Sequence, residues 1–330
     1  MDSISQFVLG ASVSYALLGK KIGPKSILIG GVGASLPDLD GIFTFNADMV
    51  SQLVHHRGFT HSIIFCLSAP FAFSFLSKKL FKAIVSFKLW YLYWFLLFFT
   101  HTLLDCFTSW GTQLFWPHPY RVSFHSIFII DPFYTVPLII GLCLSYFKSS
   151  FRYVSLALVI STIYLCLSLG VKQYVNMQFE KGLDQAGIEY TDYITKPTPF
   201  NIFLWQITVN SSDYYYFGYF SIFDKKTPVL FDRSKPKGHG LIQKYSKNKK
   251  MQQLLHFASH YYIVEKFSIN HLIIYDARYG RFGDWSPDFD GVYIFTYLYN
   301  ENTDTFVQER PDVDGISILL KEMIYRIFSN

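Results

Sequence analysis

Hydrophobic positions cluster in six runs over the first 172 residues, roughly 4–18, 24–37, 62–77, 88–110, 127–147 and 152–172. The fourth, fifth and sixth runs approach the length of about 20 residues that a helix needs to span hydrocarbon. The first three are shorter and read as tilted, shielded by neighbours or re-entrant. Gly30, Gly31 and Gly33 in the second run suit close helix packing, because small residues let backbones approach. A phosphate loop is the poorer reading, since no strand precedes these glycines and no Lys-Ser/Thr pair follows.

Beyond residue 200 the pattern changes to short aromatic and β-branched stretches at 201–210, 214–223, 261–267, 271–276 and 292–299. Helices are expected near 247–258 and 314–328. Residues 173–200, with Pro197 and Pro199, read as a polar connection. The predicted architecture is therefore an α-helical multi-pass membrane bundle over 1–172, the connection 173–200, and a small soluble α+β domain with a mainly antiparallel sheet over 201–330.

Charge sharpens this division. Residues 1–172 hold 12 Lys/Arg and 6 Asp/Glu, whereas 173–330 hold 17 and 18. The net charge of +5 thus originates in the apolar half, and it reads as membrane orientation rather than nucleic-acid binding. Lys20, Lys21 and Lys25 lie in the first link, Lys78, Lys79, Lys82 and Lys88 in the third, and Lys148 and Arg152 in the fifth. If all six runs span, these links share one side, and cytoplasmic loops carry the excess of Lys/Arg. The N-terminus, residues 38–61, residues 111–126 and the C-terminal half are then expected on the outer, periplasmic side of the cell (inner) membrane. The N-terminus has neither a basic n-region nor a small-residue cleavage pattern, so no cleaved signal peptide is expected. Cys66, Cys106, Cys143 and Cys166 all lie in apolar runs without metal-pair spacing, and no disulfides are expected.

Ionisable groups in such a background are costly and point to function. Asp38 and Asp40 follow Pro37 at the end of the second run; on an extended turn they would face one ion. His55, His56 and His61 precede the third run, with Arg57 and Gly58 between them suited to an anionic group. His101 and Asp105 lie one turn apart on one helix face in the fourth run. The charge-based topology brings these motifs to the same membrane face. Asp38, Asp40, His56, His61, His101 and Asp105 are candidate metal ligands, and zinc, manganese or iron would suit them. Asp38, Asp40, Arg57 and Asp105 are candidate catalytic residues, with one aspartate open to the role of general base and Arg57 to that of phosphate clamp. Gln6, Thr108, Ser109, Gln113, His118, Arg121 and His125 are secondary candidates on that face. Asp131-Pro132 reads as a helix N-cap and first turn. His239, His256, His260 and His271 show no ligand spacing.

Together these residues resemble the YdjM-type family of inner-membrane-associated metal-dependent hydrolases. The resemblance rests on Met1-Asp2-Ser3-Ile4-Ser5-Gln6, Pro37-Asp38-Leu39-Asp40 and His56-Arg57-Gly58-Phe59-Thr60-His61-Ser62. It continues through His101-Thr102-Leu103-Leu104-Asp105, Thr108-Ser109-Trp110-Gly111-Thr112-Gln113 and Ile130-Asp131-Pro132. It covers about residues 1–150 and extends more weakly to 197–201 and 275–280. Gln6 stands where many family members carry His. The resemblance implies a membrane-bound hydrolase with phospholipase-like activity. The expectation is a metal-activated water acting on a membrane phosphoester, with lipid as bilayer and candidate substrate, and no nucleic-acid partner. The alternative is a non-catalytic scaffold or transporter with a structural metal or ion site.

Overall fold

The computed structural model describes residues 1–81, 85–225, 229–313 and 315–329. Lys82 of the third link and Asp314 at the start of the last expected helix lie outside the described residues. The chain divides into two compact units. One comprises Met1–Phe45, His55–Gly170 and Pro199–Asn201; the other comprises Asn46–Val54, Val171–Thr198 and Ile202–Asn330.

The first unit is helical. Helix α1 (Ser3–Ile22) starts at Asp2, whose carboxylate accepts from the Ile4 and Ser5 amides. It packs against α2 (Lys25–Ala34), and the expected glycine contact is present: a β-carbon on Gly30 would collide with the Gly10 carbonyl and the Ser14 side chain. A 3-10 turn (Pro37–Leu39) and α3 (Asp40–Phe43) follow; the next helix, α4 (Met49–His55), falls mostly in the Asn46–Val54 segment of the second unit. A second 3-10 turn (Phe59–His61) leads into α5 (Ile63–Leu80), which is capped by Ser62. Helix α6 (Phe87–Phe107) is capped by Ser86, and α7 (Pro132–Phe147) begins as expected on Asp131 with Pro132 in its first turn. Between them, 108–131 is irregular, with a bridge from Thr112 to Val122.

Helix α8 (Arg152–Ala186) runs well past residue 172, through the stretch expected to be a connection. Residues 172–186 are mostly good helix formers without proline. The helix stops at Gly187, whose φ of 64° is the left-handed conformation that ends helices. Among the described residues, α5 and α8 are long and apolar enough to cross a membrane; α2 with residues 37–43, bent by 44°, makes a third candidate. The long runs thus fall differently from expectation. Helix α6 has 21 residues but carries Lys88, Thr100, His101, Thr102 and Asp105, and α7 stops at 16.

In the second unit, the end of α8 buries Val175, Phe179 and Leu183 at four-residue spacing. This stripe covers a sheet of β1 (Asp192–Pro197), β2 (Leu204–Asn210), β3 (Tyr215–Ser221) and β4 (Phe231–Arg233), antiparallel and in that order. Phe179 meets Phe220 of β3 at 6.1 Å between ring centroids. Strand β1 falls in the expected connection, and Pro197 at its end is tolerated because β1 lies at the edge of the sheet. Helix α9 (Lys249–Phe257) precedes β5 (Tyr262–Ser268) and β6 (His271–Asp276). A small ladder of β7 (Arg281–Phe282) and β8 (Val292–Tyr293) follows, then β9 (Thr296–Asn300), β10 (Thr305–Glu309) and α10 (Ile316–Phe328). The second sheet has the order β10-β9-β6-β5 and is also antiparallel. Leu319, Met323 and Ile327 of α10 pack with Leu204 and Trp285. The expected antiparallel α+β domain is present, as two four-stranded sheets rather than one.

Candidate metal centre

Four residues from three segments of the first unit converge. Asp38 comes from the 3-10 turn after α2, His61 from the turn before α5, and His101 and Asp105 from successive turns of α6. Each can offer one ligand atom, and these atoms all lie within 4.8 Å of one another. His61 Nε2 is 3.3 Å from Asp38 Oδ1 and 3.3 Å from Asp105 Oδ2. His101 Nε2 is 3.4 Å from Asp38 Oδ1 and 3.6 Å from Asp105 Oδ2. The two Nε2 atoms are 3.0 Å apart. Ligands at about 2.0–2.1 Å from a tetrahedral zinc stand roughly 3.3–3.4 Å apart, so these spacings are those of ligands around one ion. His61, His101 and Asp105 are fully buried, while the Asp38 side chain keeps 25% exposure and so marks the open side. Asp105 Oδ2 is buried without an aligned hydrogen bond, although Arg57 Nε and His61 Nε2 stand 3.2 and 3.3 Å away, so it keeps a lone pair that a cation could take. The donor set of two imidazoles and two carboxylates fits a divalent metal.

Asp40 does not point where Asp38 points. The backbone at 37–43 is helical rather than extended, so residues two apart face roughly opposite ways. Asp40 instead receives His56: Nδ1 lies 2.9 Å from Oδ1. Its Oδ2 accepts from the Arg57 amide at 2.7 Å and the Thr60 hydroxyl at 3.2 Å. Thr60 Oγ1 is also 3.1 Å from His61 Nδ1, which leaves Nε2 for the centre. Of the six candidate ligands, four therefore meet, and Asp40 and His56 form a neighbouring pair that braces the His61 loop. The carboxylates of Asp105 and Asp38 raise His61 above the usual imidazole range, against the opposing pull of burial.

Arg57 adopts a left-handed φ of 58°, which turns its side chain inward. It is buried, with Nε 3.2 Å from Asp105 Oδ2 and Nη1 donating to Thr108 Oγ1 at 3.3 Å. The Nε contact is electrostatic rather than an aligned hydrogen bond, since neither atom finds one. Arg57 is thus engaged with a carboxylate of the centre. Gln6 reaches the same group: Nε2 donates to Asp105 Oδ1 at 3.0 Å and to the His101 carbonyl at 3.2 Å. The Met1 amino group also contacts Asp105 Oδ1. Arg121 donates to the His56 carbonyl at 2.8 Å and Gln113 is buried beside Gly58. His55 and His118 are exposed, and His118 Nδ1 accepts from the Tyr120 amide. Ser109 is half-buried, and His125 sits at a left-handed φ of 49°.

Sequence reasoning assigned no role to Thr60 or Trp110. Thr60 bridges Asp40 and His61, and its place next to a ligand is the signal that could have found it. The Trp110 ring lies edge-on to His56 at 6.0 Å, and no spacing rule in the sequence points to that contact.

The family model for the YdjM inner membrane protein matches residues 1–175, the stretch that carries every group of the centre. The chain belongs to the YdjM family. A curated relative of this YdjM-family protein is the inner membrane protein YbcI of Escherichia coli (strain K12), 32% identical over 105 residues. The match covers 31% of the present chain and 59% of the relative, so the chain spans about three fifths of that protein's length. No solved structure matches. Family and relative agree with the apolar helices on an inner-membrane location.

Proposed function

We propose that this YdjM-family protein is a metal-dependent hydrolase of a membrane phosphoester, such as a phospholipid. The observation that carries the reading is the convergence of Asp38, His61, His101 and Asp105 at ligand spacing, with one side open at Asp38. A divalent ion in such a centre, zinc above manganese or iron, supplies Lewis acidity and brings a water's pKa toward neutrality. The chain's own residues account for the rest. Arg57 and Gln6 hold Asp105 in place, and Thr60 orients His61. The His56–Asp40 pair, with His56 at 35% exposure, is positioned to take a proton at the edge of the centre. Arg57 acts on the substrate through Asp105 rather than as a direct phosphate clamp.

The same reading extends the helices to a multi-pass bundle with the centre facing outward. Cations sit at the ends of the helices remote from the centre: Lys20 and Lys21 end α1, Lys78 and Lys79 end α5, and Arg152 starts α8. Lys20 lies 5.6 Å from the Phe151 ring, so the first and fifth links meet at one face. The positive-inside rule makes that face cytoplasmic. Complete burial of three of the four donors favours a second reading, a closed structural metal site. Phospholipid hydrolysis by the purified, metal-loaded protein separates the two. The hydrolase reading expects turnover that disappears in Asp38→Asn; metal-loaded protein inert towards glycerophospholipids contradicts it.

A further inference from the structure

The second unit contains a cavity of about 810 Å³ that no step of the proposed reaction uses. That volume lies in the range of small-molecule sites. Its floor is one face of the second sheet. The strand register places Glu265, Ile273 and Leu298 in one cross-strand row and Tyr275 with Thr296 in the next. One end of this face is closed where Ile263 packs against Tyr215 and Phe217 of β3. The other end is open: Phe267 is 65% exposed, and Val307, in the Leu298 row, 54%. A solvated face of an antiparallel sheet is ordinarily polar, whereas this one is largely aliphatic and aromatic, with Ile273, Leu298, Tyr275 and Phe267 set beside Glu265 and Thr296. Tyr293 of β8 forms a wall over Tyr275, with ring centroids 4.8 Å apart.

The rim carries charge of both signs, with one more cation than anion. Arg233, Lys235, Arg281 and Arg310 line the cavity together with Glu265, Asp290 and Glu309. Lys235 pairs with Glu265 at 3.0 Å. Arg281 Nε is committed to Asp284 at 2.7 Å, and its Nη1 lies 3.8 Å from the fully exposed Asp290. Arg233 rests on the Tyr214 ring at 4.6 Å. Among the described residues, neither Arg233 nor Arg310 has a carboxylate within ion-pair distance. Two guanidinium groups outside any ion pair among the described residues therefore border the floor, with Glu309 the carboxylate of the lining that is likewise outside any such pair, and guanidinium suits phosphate, sulfonate and carboxylate groups.

We propose that this cavity binds an amphipathic anion. The acidic group sits at the Arg233 and Arg310 rim, and the apolar or aromatic body lies on Ile273, Leu298 and the two tyrosines. This inference does not depend on the metal centre. The test is calorimetric titration of the full chain in phosphatidylcholine nanodiscs with naphthalene-2-sulfonate, and with the 2-naphthyltrimethylammonium ion as charge-reversed control. Saturable binding of the sulfonate alone is expected. Both arginines are exposed, so Arg233→Glu with Arg310→Glu should leave the fold intact and weaken binding by about tenfold or more. Phe267→Ser, which changes the floor without altering charge, should also weaken it, and His61→Ala should not. Repeating the titration with phosphatidylglycerol in the discs identifies the source: competition assigns the anion to the bilayer, and its absence to a soluble molecule. Equal binding of the two naphthalene ions, no binding of either, or unchanged affinity in the double arginine variant would overturn the proposal.

Discussion

His61 and His101 bring their Nε2 atoms within 3.0 Å of each other in a buried site, with carboxylates at 3.3–3.6 Å from both. A cation shared by both rings would stabilise this arrangement. Ligand bound only to the folded state adds stability by mass action. Chelation should therefore lower the unfolding temperature of the helical unit, and zinc should restore it. In His101→Ala the melting curve should no longer respond to either treatment.

The Thr60 hydroxyl stands between Asp40 Oδ2 and His61 Nδ1. Groups that orient a ligand in this way are typically worth about 10–100-fold in metal affinity. Thr60→Val keeps the shape and removes the hydroxyl, so a loss of about tenfold is expected by competition with a chelating dye. Thr60→Ser should retain most of the affinity. Equal affinities in both variants would show that His61 is held by packing alone.

Arg57 lies 4% exposed against Asp105. Removing one partner of a buried pair leaves an uncompensated charge, at a cost of roughly 3–5 kcal/mol. Arg57→Met should destabilise the protein by that order in denaturant titration, and bound metal should recover part of it by taking over the charge of Asp105. If Arg57 were instead a direct phosphate clamp, the substitution would raise KM and leave stability unchanged.

In the second unit, burial lowers the Lys196 ammonium to a pKa of about 8, opposed by Asp276. Asp276 is itself committed to Arg278 at 2.6 Å. The folded state therefore binds fewer protons than the unfolded state between pH 8 and the ordinary lysine value. Stability must rise with pH across that window. Hydrogen exchange of the β1–β2 amides should slow, after correction for intrinsic rates, as pH increases from about 8 to 10. Lys196→Met should be more stable at pH 7 and lack this dependence.

The sequence made the centre legible because charge is rare in its background. His101 and Asp105, four apart on a helix, and His61 stood out for that reason, and the Lys/Arg pattern brought them to one face. The divergence of Asp38 and Asp40 was not legible, since it depends on whether the turn after Pro37 is extended or helical. The inward turn of Arg57 rests on a left-handed φ that its residue type does not announce. In the second unit, aromatic stretches marked β2, β3, β5 and β6, whereas β1, with its proline, and the short β4 did not stand out. The end of α8 was obscured because its buried stripe of Val175, Phe179 and Leu183 runs through an otherwise polar segment.

The central claim is that Asp38, His61, His101 and Asp105 hold one divalent metal. Elemental analysis of the purified protein, resupplied with zinc and freed of excess, tests it most directly. The account expects about one equivalent in the wild type and near none in His61→Ala and Asp105→Ala, each checked for native helical content. Wild-type protein that remains without metal after resupply, or variants that retain the full equivalent, would contradict it.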